Sequence, residues 1–191
     1  GVRTKDGATR SIDTLVLATG FHAADAIAPF EIRGRRDVSL GERWEGDGAA
    51  AHKGTTVAGF PNFFMIVGPN TGLGHGSMIF MIESQVGYMM KALEAARSRG
   101  ADVIEVREDA QRRYNEALQV RLAGRVWQTG GCASWYKTKS GKNVTLWPGT
   151  MTEFNLRLRR FDEGDHLLTS ASVAGGLQAS GYRPQDVFPE A

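Results

Sequence analysis

One cysteine, Cys132, stands in 191 residues. It excludes an internal disulfide and fits a reducing compartment. Charge of one sign is also missing, since 23 basic residues face 21 acidic ones. Without a Lys/Arg block or a basic stripe interleaved with aromatics, the electrostatic footprint of a nucleic-acid binder is absent. No hydrophobic run approaches the roughly 18 residues of a membrane span, and no charged-then-apolar leader opens the chain. His22, His52, His75 and His166 show no close metal-ligand spacing along the sequence, so no metal site is expected. No G-x-S-x-G elbow is present, which makes Ser77 beside His75 a helix cap rather than a nucleophile. Together these absences leave a globular protein, read as cytoplasmic, whose partner is neither nucleic acid nor a membrane.

What is present is 41% hydrophobic side chains, enough for one sizeable core or two small ones. Asp6-Gly7 sits where a hairpin turn belongs, followed by an apolar strand from Ile12 to Ala18. The chain therefore opens inside a hairpin and reads as a fragment. Leu15-Val16-Leu17-Ala18 has the composition of a strand buried on both faces of an α/β sheet, ending at Thr19-Gly20. Residues 21 to about 56, with Gly34, Gly41, Gly46, Gly48 and Gly54, form an irregular connection anchored by Trp44. A second buried strand is expected at Phe63 to Val67.

Ile79, Ile82, Val86, Met89 or Met90, and Leu93 recur at helical spacing from Met78 to Arg97, with Glu83, Gln85, Lys91 and Glu94 on other faces and Gly100 at C′. Val103 to Val106 reads as a strand, Asp109 as the cap of a helix to about Leu122, Ser140-Gly141 as a hairpin turn, and Thr152 to Phe161 as a helix. Cys132 reads as a small buried side chain, and the polar residues 162–191 as a loosely held tail. Met78, Met81, Met89 and Met90 fit either core packing or pocket lining.

The most informative stretch is "FPNFFMIVGPNTGLGHGS", residues 60 to 77, with glycines at 68, 72, 74 and 76. A strand, a glycine-rich turn and a helix start place unpaired N-H groups at the positive end of a helix dipole, a point that attracts anionic groups. The spacing matches neither G-x-G-x-x-G nor a P-loop. A plain strand-to-helix connection and a ligand-contacting loop both remain open on the residues alone. His75 within it reads as a solvent-exposed loop residue.

"DTLVLATGF", "GFPNFFMIVGPNTGLGHGSMIFMIESQVGYM" and "GCASWYKTKSGKNVTLWPG" resemble, in order and spacing, successive motifs of the C-terminal part of flavin-dependent monooxygenases of the Baeyer-Villiger and flavin-containing branch. The resemblance runs from about residue 10 to about residue 160. It implies an α/β chain forming part of an FAD/NAD(P)-binding, Rossmann-like fold with a mixed α+β C-terminal extension. Residues 1–20 would end the NADPH-side segment, 21–60 connect, 61–100 complete the FAD-binding domain, and 101–191 form the extension.

The parent would use FAD and NADPH to oxygenate ketone-like substrates through a C4a-peroxyflavin. By the same resemblance, Asn70, Thr71 and Gly72 lie against the flavin ring with backbone N-H groups serving its O2, and Trp135 reaches the nicotinamide or its ribose. Read from the residues alone, Trp135 is a core aromatic on a strand, and the resemblance reverses that reading. The dinucleotide fingerprints and the family's catalytic arginine are absent, so no catalytic residue is assigned and the isolated chain is expected to be inactive, cofactor-free and self-associating as a homodimer. An N- or S-oxygenating relative and a non-catalytic interaction module are the alternatives. A disulfide-reductase relative is excluded by the single cysteine.

Overall fold

The computed structural model describes residues 1–19, 30–131 and 134–170. Cys132 and the end of the tail, 171–191, lie outside the described residues, as do Gly20 and His22. At the N-terminus β1 (Val2–Arg3) pairs antiparallel with β2 (Thr9–Arg10), closed by Gly7 at φ +85°. The expected strand from Ile12 to Ala18 is not formed, and Val16 is 80% exposed. A strand apolar on both faces needs neighbours on both sides, and among the described residues none pairs with it.

From residue 30 on, the connection holds more structure than its glycines suggest. A 3-10 turn at Arg35–Asp37 leads into α1 (Leu40–Glu45), where Leu40 and Trp44 join Ala51, Val57 and Phe60 in a small core. Phe63 to Val67 is not a strand either. Only an isolated bridge, Thr56 to Phe64, forms there, and Ile66 and Val67 face outward.

α2 (Met78–Ser98) begins at Ser77, whose Oγ accepts from the Phe80 N-H, and ends before Gly100 at φ +60°. Its inward face differs from the expected one. Met81, Ser84, Gln85, Tyr88, Ala92 and Ala96 are buried, whereas Ile79, Val86, Met90 and Leu93 are exposed. Gln85 explains the rotation. Its Nε2 donates to the Gly54 carbonyl at 2.9 Å and the Thr55 hydroxyl at 3.2 Å, and its Oε1 accepts from the Val67 N-H at 2.9 Å. One buried amide thus satisfies backbone groups of two loops that have no ladder of their own.

β3 (Val103–Val106) precedes α3 (Glu108–Ala123). Asp109 is not the cap of α3: it lies in the first turn and pairs with Arg113 four residues on. After α4 (Val126–Thr129), a turn at Gly141 closes a narrow hairpin bridged between Lys137 and Asn143, and α5 (Met151–Leu158) starts at a Thr150 cap. The tail reading is corrected for its first residues. β4 (His166–Thr169) pairs antiparallel with β3, from Val103 opposite Thr169 to Val106 opposite His166, because β3 offers a fully buried edge.

The main core joins Met81 and Tyr88 of α2, Leu118 and Leu122 of α3, Trp147, and Phe154 and Leu158 of α5. The described residues form a mixed α/β assembly with two two-stranded antiparallel sheets.

Candidate functional site

The glycine-rich loop is fixed from both sides. A Cβ on Gly68 would overlap the Gly54 carbonyl, and one on Gly54 would overlap Thr71 and the Pro69 carbonyl. Further on, the loop pairs with the third sequence segment. The Asn70 N-H donates to the Val144 carbonyl at 2.9 Å, the Gly72 N-H to the Thr145 carbonyl at 2.8 Å, and the Trp147 N-H to the Gly72 carbonyl at 2.8 Å. Asn70, held at φ +57°, donates from its side chain to the Asn143 and Leu146 carbonyls. The Thr71 hydroxyl donates to the Gly68 carbonyl at 2.7 Å.

These bonds show which amides of the loop are engaged within the fold. The amides of Asn70 and Gly72 are already spent inside the fold, and Asn70 and Thr71 are buried. Among the described residues, the backbone N-H groups of Thr71, Leu73, Gly74, His75 and Gly76 have no partner, and Gly74 to Ser77 are exposed. The exposed open donors therefore lie on the approach to the N-terminus of α2, where the helix dipole is positive. His75 is exposed, as read from the sequence.

Trp135 is 55% exposed, so within the described residues it is not a core aromatic. Its ring lies 4.2 Å from that of Tyr136, and Tyr136 meets Trp127 edge-on at 5.7 Å. Trp127 in turn covers Gly74, where any Cβ would overlap its indole. An aromatic row thus runs from Trp135 to the open donors. Trp127 was missed by sequence reading, because an isolated tryptophan in a four-residue helix carries no spacing signal. Met81 is core, Met78 is partly buried against the core and Met90 is exposed, so the methionines divide between packing and surface.

The neighbouring ion pair Arg121–Glu153 is bidentate at 2.6 and 2.7 Å. Hydrogen bonds from Arg121, followed by those from Arg157, hold the Glu153 carboxyl below its usual range against the opposing effect of burial. Arg121 also lies over the Trp147 ring, 5.3 Å from its centroid, tying α3 to the segment that grips the loop. Among the described residues no helix is long and apolar enough to cross a membrane.

No family model matches the chain. It is 45% identical over 175 residues to a Baeyer-Villiger monooxygenase of Pseudomonas aeruginosa, covering 91% of this chain and 33% of that protein. To a Baeyer-Villiger monooxygenase of Streptomyces coelicolor it is 42% identical over 177 residues, covering 92% of this chain and 34% of that one. An FAD-binding monooxygenase of Aspergillus niger is 38% identical over 91% of the chain and 29% of its own length. Among solved structures, cyclohexanone monooxygenase from Rhodococcus sp. Phi1 bound to NADP+ superposes with TM-score 0.72 at 27% identity, over 90% of this chain and 33% of that one. The chain spans about a third of the length of the relatives it matches.

Proposed function

We propose that this chain is the C-terminal third of a flavin-dependent monooxygenase of the Baeyer-Villiger type, working with FAD and NADPH in the cytoplasm on ketone-like small molecules. The observation that carries this reading is the convergence of the second and third resembling segments. The 68–76 loop, α2 and the 134–147 segment meet at one exposed strip of unpartnered amides beside an aromatic row. The similarity to Baeyer-Villiger monooxygenases over nine-tenths of the chain supports it.

The residues present fit such cofactors. Open N-H groups from Leu73 to Gly76, with the N-terminus of α2, offer donors to the electron-rich edge of a flavin ring. Gly72 contributes closeness of backbone. Asn70 and Thr71, turned inward, give the loop its shape rather than touching the ring. Trp135 offers an exposed face to the nicotinamide or its ribose, and Trp127 holds Gly74 in position. When bound, FAD reduced by NADPH supplies oxygen activation, and the task of this chain is to orient the rings and exclude water. In this reading α2 belongs to the FAD-binding, Rossmann-like half, and residues 101–170 form the extension that closes over it. Catalytic groups are supplied by the other two-thirds of the enzyme.

The reading is tested by expressing the full-length protein that contains these residues and following NADPH consumption with and without cyclic ketones. Ketone-dependent consumption with ester or lactone formation is expected. Consumption unaffected by every ketone, with oxygenation at nitrogen or sulfur instead, would move the protein to the other branch of the superfamily.

A further inference from the structure

A second cluster lies away from the amide strip and has no part in the reading above. His52 is 2% exposed, and both of its ring nitrogens lack a hydrogen-bond partner. A buried imidazole with two unmet nitrogens is costly and calls for a ligand. Its Nε2 faces Asp165 Oδ2 at 3.9 Å, too far for a hydrogen bond. Asp162 completes a group of three whose ligand atoms all lie within 4.8 Å of one another. Two ligands of one tetrahedral zinc ion stand ~3.3 Å apart at ordinary bond lengths, so a small contraction would close the set. His166, also 2% exposed, packs edge-on against His52 at 5.5 Å, and its Nε2 is likewise without a partner.

We propose that His52, Asp162 and Asp165 form a binding site for a divalent transition-metal ion that staples the 51–56 loop to the turn leading into β4. A neutral imidazole offers one ring nitrogen as a ligand, and the Nε2 of His52 is the one that faces Asp165. One imidazole and two carboxylates suit zinc or cobalt better than magnesium or calcium. Asp162 and Asp165 are partly exposed and give the ion an entry path.

Two cations face these carboxylates. Lys53 pairs with Asp162, and Arg113 reaches Asp165 at 3.4 Å. Each has a second anchor, the Arg157 carbonyl at 3.0 Å for Lys53 and Asp109 for Arg113, so neither is orphaned when the carboxylates turn to the ion. Sequence spacing hides the set because 110 residues separate His52 from Asp162.

The experiment titrates zinc into the chelator-treated 191-residue chain by calorimetry, with cobalt as a spectroscopic probe. One equivalent of zinc, a raised melting temperature and visible cobalt d–d bands are expected. Asp165→Asn, at a partly exposed position that should fold normally, is expected to weaken zinc by more than the roughly 10- to 100-fold typical of a group that only orients a ligand. His52→Asn is expected to abolish the cobalt bands, and His75→Ala to leave them unchanged. Absence of stoichiometric binding, equal binding by Asp165→Asn, or loss of binding in His75→Ala would overturn the proposal. None of these outcomes depends on flavin, so failure here leaves the monooxygenase reading intact.

Discussion

Trp135 separates the two roles open to an aromatic residue at this position. Its ring is more than half exposed, so Trp135→Ala opens no cavity among the described residues. The melting temperature of the full-length protein should barely move, as for surface substitutions generally. Loss of a large contact face should weaken NADPH binding by about 1 to 3 kcal/mol, or one to two decades in affinity, with flavin content unchanged. Melting temperature, NADPH dissociation constant and peroxide release measured on one preparation decide the matter. A destabilised protein with unchanged coupling would refute the cofactor role. Glu153 makes a second prediction at this scale. Its folded pKa lies below the ordinary value of 4.5 because Arg121 and Arg157 bond its charged form. The stability it contributes is therefore present above that value and lost as pH falls through the folded pKa. Glu153→Gln should flatten the acid limb of a stability-against-pH curve below about 4.5. An unchanged acid limb would show that the pair is screened to irrelevance.

At the scale of elements, α2 shows how much the sequence made legible. Its existence, its Ser77 cap and its Gly100 end were all readable, because capping chemistry is local. The buried face was not. Hydrophobic periodicity pointed to Ile79, Val86 and Leu93, yet burial went to Ser84 and Gln85, because unpaired backbone at Gly54 and Val67 demands a polar partner that periodicity cannot see. The amide strip shows the same division. Glycine spacing located the loop, but only long-range pairing with Val144 and Thr145 decides which amides stay open. β4 escaped notice because its partner β3 lies some 60 residues away in sequence. Gln85→Leu keeps the volume and removes the bonds, and should cost about 1 to 3 kcal/mol for each backbone group left unmet. Chemical denaturation reads this directly, and a neutral result would mean that water replaces the amide.

At the scale of the molecule, the exposed faces fit together. Val16 and its neighbours, and the stripe of Ile79, Val86, Met90 and Leu93, expose apolar surface of the kind that marks an interface. With the relatives three times as long, the reading assigns this surface to contact with the other two-thirds of the enzyme. The isolated chain should then self-associate, and light scattering after size exclusion should find dimers. A monomer at all concentrations would count against it.

The most direct measurement is an anaerobic titration of the full-length protein with NADPH, followed by visible absorbance. The account predicts one FAD per chain, bleached stoichiometrically by NADPH, with no flavin retained by the 191-residue chain alone. A full-length protein without flavin, flavin that NADPH does not reduce, or tight FAD uptake by the isolated chain would contradict it.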